Sequence, residues 1–308
     1  MSADSMQVYR RLPILTNQPT PEQLAAVTHH LVAIVDPDVE FSAAEYARLA
    51  AHALDELAAR RRTAVVEGGS GLYLRAALGG LAFGAPPGAA RAELEALAAR
   101  DPQALVARLE RLDPATAAVT DLRNPRRLVR ALERALQKAP DGVGGASAGE
   151  EPPSHPGSPY AKDRRVRPAA PTGPASTTAS ASLLWAAGER DARVVALEPD
   201  RERLRERVDA RVDEMFARGL VDEVRTVRES CTLSRTVRQA IGVREVCALL
   251  DGELSLDEAR RRMQARTRAY VRRQLTWMRK LPDAARIPVS ARSADDVADE
   301  IVRRLSSS

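Results

Sequence analysis

The chain has 308 residues, 44% of them hydrophobic and 29% charged, which suits one large globular domain or two small ones. No apolar run approaches the roughly 20 residues that cross a bilayer, and residues 1–10 lack the apolar stretch of a secretory signal. Two cysteines without a CxxC spacing and four histidines without a metal-binding spacing argue against a disulfide framework or a zinc site and favour the cytoplasm. The net charge of +5 is mild, so by itself it identifies no nucleic-acid partner.

The first zone of the chain, residues 2–138, alternates apolar segments with helical patterns. Residues 30–35 and 63–67 are short apolar runs that predict buried strands. Ser42 begins a capping-box sequence, which predicts a helix from there to about Arg61. The second apolar run leads into a glycine turn and another helix. This order of strands and helices predicts an α/β domain with a parallel sheet, whose ligands bind at the carboxyl ends of the strands.

The rest of the chain divides into three stretches. Leucines at helical spacing predict two or three short helices over residues 86–122. Residues 139–182 are rich in Pro, Gly, Ser, Thr and Ala, which predicts a disordered insert, because such a segment buries too little surface to offset its chain entropy. Beyond it the chain is mostly helical: one helix ends near Gly219, and the last strong helix covers about 255–281. Residues 260–280 of that helix carry nine Lys and Arg and no Asp or Glu, a candidate phosphate-contact surface.

Two segments offer chemistry but also have plainer interpretations. Asp4, flanked by Ser5 and Gln7, is able to accept a proton from an amine nucleophile. A frayed terminus with an N-cap aspartate is the alternative, and composition alone favours it. The glycine turn at residues 68–71 can present backbone amides to a phosphate, or it can simply connect a strand to a helix. It is not a Walker A loop, since GxxxxGK[ST] occurs nowhere in the chain.

Three arginine-bearing segments offer phosphate contacts, each with a structural alternative. Arg126, Arg127 and Arg130 fall on the first turns of a helix, where a solvated face is the favoured alternative. Arg244 follows a glycine and is able to clamp a pyrophosphate, although a role at a helix start fits equally well. The C-terminal helix interleaves arginines with aromatic residues, as RNA surfaces do, yet its tryptophan also fits a core position.

Taken in order, seven segments resemble the motifs of the tRNA dimethylallyltransferases (tRNA isopentenyltransferases). They are SADSMQVYR, HHLVAIVDPDVEFSAAEY, EGGSGLYLRAAL, NPRRLVRALE, RVDEMFARGLVDEV, QAIGVRE and RTRAYVRRQLTWMRK. Seven matches in the family's order are far more specific than any one of them, and together they extend over nearly the whole chain outside the insert. The resemblance implies an α/β, P-loop NTPase-like fold with a parallel sheet flanked by helices and a small helical insertion. The implied division is a core at 1–85, a helical insertion at 86–124, a core helix at 125–138, the disordered insert at 139–182, and a mostly helical remainder of the core with a tRNA-binding helix at 183–308.

The resemblance also implies an activity: transfer of the dimethylallyl group from its diphosphate to the exocyclic amine of the adenine that follows the anticodon. Mg²⁺ is the implied cofactor, with no protein ligand identified for it, and a cytoplasmic monomer that binds tRNA is expected. Asp4 would act as the general base, and Arg244 would steady the pyrophosphate. The implied tRNA-binding residues are Ser5, Met6 and Gln7 around the adenine, with Ser70, Arg91, Arg126, Arg127, Arg130, Gln239, Arg272, Arg273, Gln274, Trp277 and Arg279.

The sequence departs from the family at its start. The family begins with a strand, a GxTxxGKT/S-like loop and a helix before the first motif, whereas this sequence starts at that motif, so we expect the first strand and the P-loop to be missing. A central strand with about five buried apolar side chains at roughly 1.5–3 kcal/mol each contributes about 7–15 kcal/mol, which rivals a typical total stability of about 5–15 kcal/mol. Two hypotheses follow: a tRNA prenyltransferase whose given start is too late, or an inactive fragment that at most binds RNA. Prenylation of free adenine nucleotides fits less well, since it leaves the RNA-facing motifs unexplained.

Overall fold

The computed structural model describes residues 1–79, 81, 90–138, 192–281 and 284–306. The insert predicted at 139–182 lies outside the described residues. The described chain forms two compact units, one made of residues 1–81 and 192–306 and the other of residues 90–138.

Helices dominate the described residues of both units. In chain order the helices are α1 (Pro13–Thr16), α2 (Pro21–Ala26), α3 (Ala43–Ala59), α4 (Gly71–Ala77), α5 (Ala90–Arg100), α6 (Pro102–Leu112), α7 (Pro114–Val119), α8 (Pro125–Lys138), α9 (Arg201–Ala217), α10 (Leu220–Ser230), α11 (Arg235–Arg238), α12 (Val243–Leu250), α13 (Leu256–Met278) and α14 (Ala294–Ser306). The strands are β1 (Val195–Glu198) and β2 (Ala285–Pro288). Helices α5 to α8 make up the second unit.

The sheet of the first unit consists, among the described residues, of the parallel pair β1 and β2. Val195 lies opposite Ala285, and Leu197 lies opposite Ile287. Parallel strands need a long crossover connection, which here contains helices α9 to α13. The chain is therefore a helix-rich α/β protein with a small parallel sheet.

The strands predicted at residues 30–35 and 63–67 each form only an isolated parallel bridge, Tyr9 to Val35 and Ser2 to Glu67. In the first run Leu31 has φ 62° and Ala33 has φ 50°, and this left-handed conformation takes the backbone out of the extended region that a strand requires. In the second run Glu67 exchanges backbone hydrogen bonds with residues 1–3, which is too short a contact for a ladder. Both predictions of a continuous strand are wrong, although both segments flank the N-terminal residues as parallel neighbours.

Helix α3 begins where the sequence predicts it. The Ser42 hydroxyl accepts a hydrogen bond from the Glu45 N–H at 3.2 Å, and the Glu45 carboxylate accepts one from the Ser42 N–H at 2.8 Å, which satisfies two backbone donors at the helix start. The capping box is thereby confirmed. The buried face of α3 has helical spacing and consists of Tyr46, Leu49, Ala50 and Ala53.

Helices α9 and α13 pack against each other, and their ends also follow the sequence. Helix α9 ends at Ala217, just before Gly219 with φ 95°, a conformation that favours glycine. Helix α13 begins at a capping box on Ser255 and buries Ala259 and Met263, one turn apart. The predicted boundaries of the long C-terminal helix are confirmed to within a few residues.

The second unit has a core of its own. Leu94 of α5, Leu109 of α6 and Leu132 of α8 belong to one buried apolar cluster. Helix α8 was expected to be a core helix separate from the helical insertion. It packs with α5 and α6, because its apolar face carries Leu128 and Leu132 into the same cluster.

None of the helices in the described part of the chain is long and apolar enough to cross a membrane.

Candidate active site

The carboxylate of Asp4 is fixed by the turn that follows it. Its Oδ1 accepts hydrogen bonds from the backbone N–H groups of Met6, at 2.7 Å, and Gln7, at 3.3 Å. No hydrogen bond to the other oxygen, Oδ2, occurs among the described residues, and Asp4 is half-buried. One oxygen therefore anchors the side chain, while the other is able to accept a proton.

Side chains on both sides of Asp4 lock this turn in place. The Ser2 hydroxyl donates to Gln7 Oε1 at 2.8 Å and accepts from the Asp4 N–H at 3.3 Å. Gln7 Nε2 donates to the carbonyl oxygen of Asn17 at 2.9 Å. The structure thus places Gln7, expected at the adenine, in contacts that hold the Asp4 turn, while Ser5 and Met6 are half-buried beside it.

Aromatic side chains surround the same turn. The rings of Tyr46 and Tyr73 lie 4.5 Å apart between centroids at 45°, and the Tyr46 hydroxyl donates to the Ser2 carbonyl oxygen at 3.0 Å. Burial raises the pKa of both hydroxyls, and the negative charge of Asp4 raises each pKa further. The pKa of Tyr270 on α13 is raised by the same two causes, with burial the larger. Helices α3, α4 and α13 therefore each bring a neutral phenol within electrostatic range of Asp4.

Arg211 of α9 lies within electrostatic range of this carboxylate. Loss of hydration lowers the pKa of its guanidinium, while the negative charges of Asp4 and then Glu214 act to raise it. Arg211 is exposed and carries a permanent charge. Asp4 and Arg211 therefore give this part of the first unit a proton acceptor and a cation.

The glycine turn is packed against α13. A Cβ on Gly69 would lie 2.1 Å from Gln274 Nε2, and a Cβ on Gly71 would lie 2.2 Å from Trp277 Cε3. A Cβ on Gly68 would lie 2.6 Å from the Ala3 carbonyl oxygen. The glycines of this turn therefore allow its close packing against Ala3 and α13.

Gln274 and Trp277, both expected at the tRNA, are the half-buried residues that cover the turn. Ser70 within it is the half-buried N-cap residue of α4, and its side chain makes no capping hydrogen bond.

Arg244 lies in the first turn of helix α12, just after its N-cap residue Gly242. Its side chain is exposed, as is that of Gln239 at the end of α11. The neighbouring Glu245 is 4% exposed, accepts the Gly242 N–H at 2.8 Å and forms an ion pair with Arg266 of α13. Glu245 and Arg266 therefore fix the start of the helix that carries Arg244.

The remaining arginines predicted to contact tRNA fall on two surfaces. Arg272, Arg273 and Arg279 are exposed on α13, and the guanidinium carbon of Arg273 lies 5.7 Å from the centroid of the Tyr270 ring, within cation–π range. The second unit carries the other four. Arg126 and Arg127 are exposed on α8, while Arg91 and Arg130 are partly buried and form ion pairs with Glu133.

Several residues of this site were not assigned from the sequence. Arg211 is one of five arginines on α9 and the first residue of the motif RVDEMFARGLVDEV, but the motif alone gave it no role. Tyr46 and Tyr73 lie in two different recognised segments, and only the packing of α3 against α4 brings them together. Outside this site, in the second unit, Glu133 also stands inside a recognised motif, but its burial, at 4% exposure, could not be predicted from the sequence.

Among the described residues no group of three or more His, Cys, Asp or Glu side chains is placed to hold a metal ion. Magnesium in phosphate-handling proteins is commonly held by one or two carboxylates together with the phosphate oxygens of the substrate. A magnesium ion that enters with a diphosphate would therefore take its ligands mainly from phosphate oxygens and water.

Comparison with known proteins places this geometry in a family. A family model described as IPP transferase matches residues 7–281. A tRNA dimethylallyltransferase of Anaeromyxobacter dehalogenans (strain 2CP-C) is 41% identical over 283 residues, which cover 91% of this chain and 83% of that protein. A tRNA dimethylallyltransferase of Roseiflexus sp. (strain RS-1) is 38% identical over 308 residues, which cover 99% of this chain and 89% of that protein.

Solved structures agree with the sequence comparison. The full-length tRNA isopentenylpyrophosphate transferase of Bacillus halodurans is similar with a TM-score of 0.63 and 30% identity, covering 99% of this chain and 86% of that one. A eukaryotic dimethylallyltransferase described as acting on tRNA has a TM-score of 0.69 at 21% identity, covering 99% of this chain and 70% of that one, and supports the fold alone. By its family match and by these relatives, the chain belongs to the IPP transferase family, the family of the tRNA dimethylallyltransferases.

Proposed function

We propose that this chain is a tRNA prenyltransferase that moves a dimethylallyl group from dimethylallyl diphosphate to the exocyclic amine of the adenine 3′ of the anticodon. The observation that carries the proposal is the state of Asp4. Its Oδ1 is held by two backbone N–H groups, which leaves Oδ2 for a proton, and the chain belongs to a family whose relatives are named for this reaction.

Asp4 acts as the base for the attacking amine. An aromatic amine is a poor nucleophile, and its nitrogen becomes acidic as it bonds to carbon, so a carboxylate in reach lowers the barrier. The nitrogen lone pair forms the new bond to the first carbon of the dimethylallyl group, and the bond from that carbon to the diphosphate oxygen breaks. Its electron pair leaves with the diphosphate, and the amine proton passes to Asp4 Oδ2.

The departing diphosphate needs positive charge and hydrogen-bond donors. Arg211 supplies a permanent cation within electrostatic range of Asp4. We propose that Arg211 and Arg244 together bind the departing diphosphate. When bound, magnesium would neutralise charge on the diphosphate oxygens.

The tRNA must present an unstacked adenine, which costs a few kcal/mol and is easiest in a loop. Ser5 and Met6 flank the carboxylate and are assigned to the base. The exposed arginines of α13 and of α8 are assigned to the anticodon stem and loop, since phosphate contacts position an RNA while base contacts select it. A cytoplasmic monomer is proposed, in keeping with a tRNA substrate.

The test uses the 308-residue protein with labelled dimethylallyl diphosphate, magnesium and unmodified tRNA. We expect label in the RNA, and none when guanine replaces the adenine 3′ of the anticodon in an otherwise identical tRNA. Transfer to free adenosine monophosphate as fast as to tRNA would contradict the assigned substrate. No transfer by a folded, tRNA-binding protein would overturn the proposed activity.

A further inference from the structure

The second unit contains a buried carboxylate that links two helices. The Glu133 side chain on α8 is 3% exposed, and its Oε2 lies 3.3 Å from Arg91 Nη1 of α5 and 3.2 Å from Arg130 Nη1 of α8. Its Oε1 has no hydrogen-bond partner among the described residues. One carboxylate oxygen therefore holds two guanidinium groups from different helices.

Because the Glu133 carboxylate is buried, it needs nearby positive charge. A buried carboxylate is costly unless cations compensate for it, so Glu133 favours conformations that keep both arginines close. The side chains of Arg91 and Arg130 are each 31% exposed, which leaves part of each guanidinium accessible to water. Arg126 stands one turn before Arg130 on the same face of α8 and is exposed. The result is a cationic face on α8 and α5, anchored from beneath by a carboxylate.

We infer that Glu133 is a positioning residue that holds Arg91 and Arg130 ready for an RNA phosphate, an inference that rests on the proposed function. An arginine that becomes ordered only when it binds loses rotamer freedom, which weakens binding by roughly two- to twelvefold for each such side chain. Two guanidinium groups already held by Glu133 have lost that freedom before RNA arrives. Because both side chains are 31% exposed, a phosphate can contact them from the solvent side.

Glu95 provides a matched comparison, because it pairs with the same arginine. Its Oε1 lies 3.0 Å from Arg91 Nε, and its side chain is 37% exposed. An exposed carboxylate at this distance competes with a phosphate for Arg91 and contributes little to its position. If the two carboxylates act only through their negative charge, removing either one should strengthen RNA binding. If Glu133 positions the arginines, Glu133→Gln should weaken RNA binding, whereas Glu95→Gln should leave it equal or tighter.

The experiment measures tRNA binding at several salt concentrations, together with the KM for tRNA and kcat, in the full chain. We expect Glu133→Gln to weaken tRNA binding and raise KM about three- to tenfold, as expected for one or two arginines that must be ordered anew. The kcat at saturating tRNA should stay within about twofold of wild type, since a change in binding alone leaves kcat unaltered. A Glu133→Gln protein that binds tRNA as tightly as wild type, or tighter, would overturn the inference.

A second variant covers the case in which Glu133→Gln does not fold. Glu133→Asp keeps the charge but withdraws the oxygens by about 1.5 Å, one carbon–carbon bond. If Glu133 positions the arginines, the KM for tRNA should rise in this variant also. If Glu133 acts only through its charge, the KM should not change. An unchanged KM in folded Glu133→Asp would sink the inference while leaving the proposed function intact. Absence of transfer by the wild-type chain would instead remove the proposed function.

Discussion

The indole ring of Trp277 occupies the space directly above Gly71, so that a Cβ on Gly71 would lie 2.2 Å from Trp277 Cε3. This contact joins two segments that are 206 residues apart, the glycine turn and the basic helix α13. It also explains why an apparently RNA-facing tryptophan is half-buried. The turn beside Asp4 and the helix that carries Arg272 and Arg273 are therefore one packed assembly.

Gly71→Ala should destabilise the protein by about 1–3 kcal/mol, the usual cost of overpacking. A ring cannot move aside as the end of a flexible chain can, so Gly69→Ala, which meets the end of Gln274, should cost less. Thermal or denaturant unfolding measures both. In a Trp277→Leu background most of the Gly71→Ala penalty should disappear. A penalty that persists there would mean that the ring is not its cause.

Two glycines with positive φ differ in backbone and in the space around them. Gly242 has φ 100° and ψ −48°, and a Cβ there would lie 2.3 Å from Leu15 Cδ1. Gly219 has φ 95° and ψ 28° and open space around it. Gly219→Ala should cost about 1–2 kcal/mol from the left-handed backbone alone. Gly242→Ala should cost about 1–3 kcal/mol more, because the clash adds to a backbone outside the left-handed helical region. Equal losses in denaturant unfolding would contradict both causes.

Sequence patterns predicted the ends of the helices better than they predicted the strands. Helix starts and ends are predicted by local capping signals, here at Ser42, Ser255 and Gly219, because capping depends on a few neighbouring residues. The strand predicted at 30–35 failed, since Leu31 and Ala33 adopt a left-handed backbone that no pattern of apolar residues reveals.

The site divides in the same way. Asp4 and Arg211 both lie in recognised motifs, but the influence of one on the other could not be predicted, because it is set by how α9 packs in the fold. In the second unit, Glu133 likewise needed the packing of α5 against α8 to be recognised. The residues that were missed depend on long-range contacts, which local sequence patterns do not reveal.

The pH dependence of stability should report on Glu223. Its carboxylate accepts the backbone N–H groups of Ile14 and Leu15 at 2.8 Å each, but burial is the larger effect and raises its pKa above the usual value. A pKa raised by folding means that the folded state binds the proton more tightly. The stabilisation by this group is therefore complete below the unfolded pKa and is lost as pH rises through the folded pKa.

The free energy of unfolding of wild type minus that of Glu223→Gln should accordingly decrease as pH rises above about 4.3, the usual pKa of a glutamate. Denaturant titrations of both proteins from acid to neutral pH measure this difference. A difference that increases over that range would show that the two N–H groups outweigh the loss of hydration.

Arg272 and Arg279 should act through phosphate binding. Each is exposed at α13 or its C-cap, so replacing either with alanine should weaken tRNA binding. The plot of log K for tRNA binding against log salt concentration should also become shallower, its slope falling in magnitude by about one. Stability should stay within about 0.5 kcal/mol, as for most surface substitutions. Arg225→Ala on α10, an exposed arginine outside these surfaces, is the matched control. A salt slope that stays the same in all three variants would remove α13 from the RNA surface.

The central claim is that Asp4 takes the proton of the attacking amine. Asp4→Asn keeps a carbonyl oxygen at the Oδ1 position for the N–H groups of Met6 and Gln7, so the turn should survive while the base is lost. Single-turnover transfer of labelled dimethylallyl to tRNA, with both substrates saturating, compares this variant with wild type. We expect the rate to fall by about 10²- to 10⁴-fold, the usual contribution of a general base, with unchanged tRNA affinity and melting temperature. Transfer by Asp4→Asn at the wild-type rate would contradict this claim.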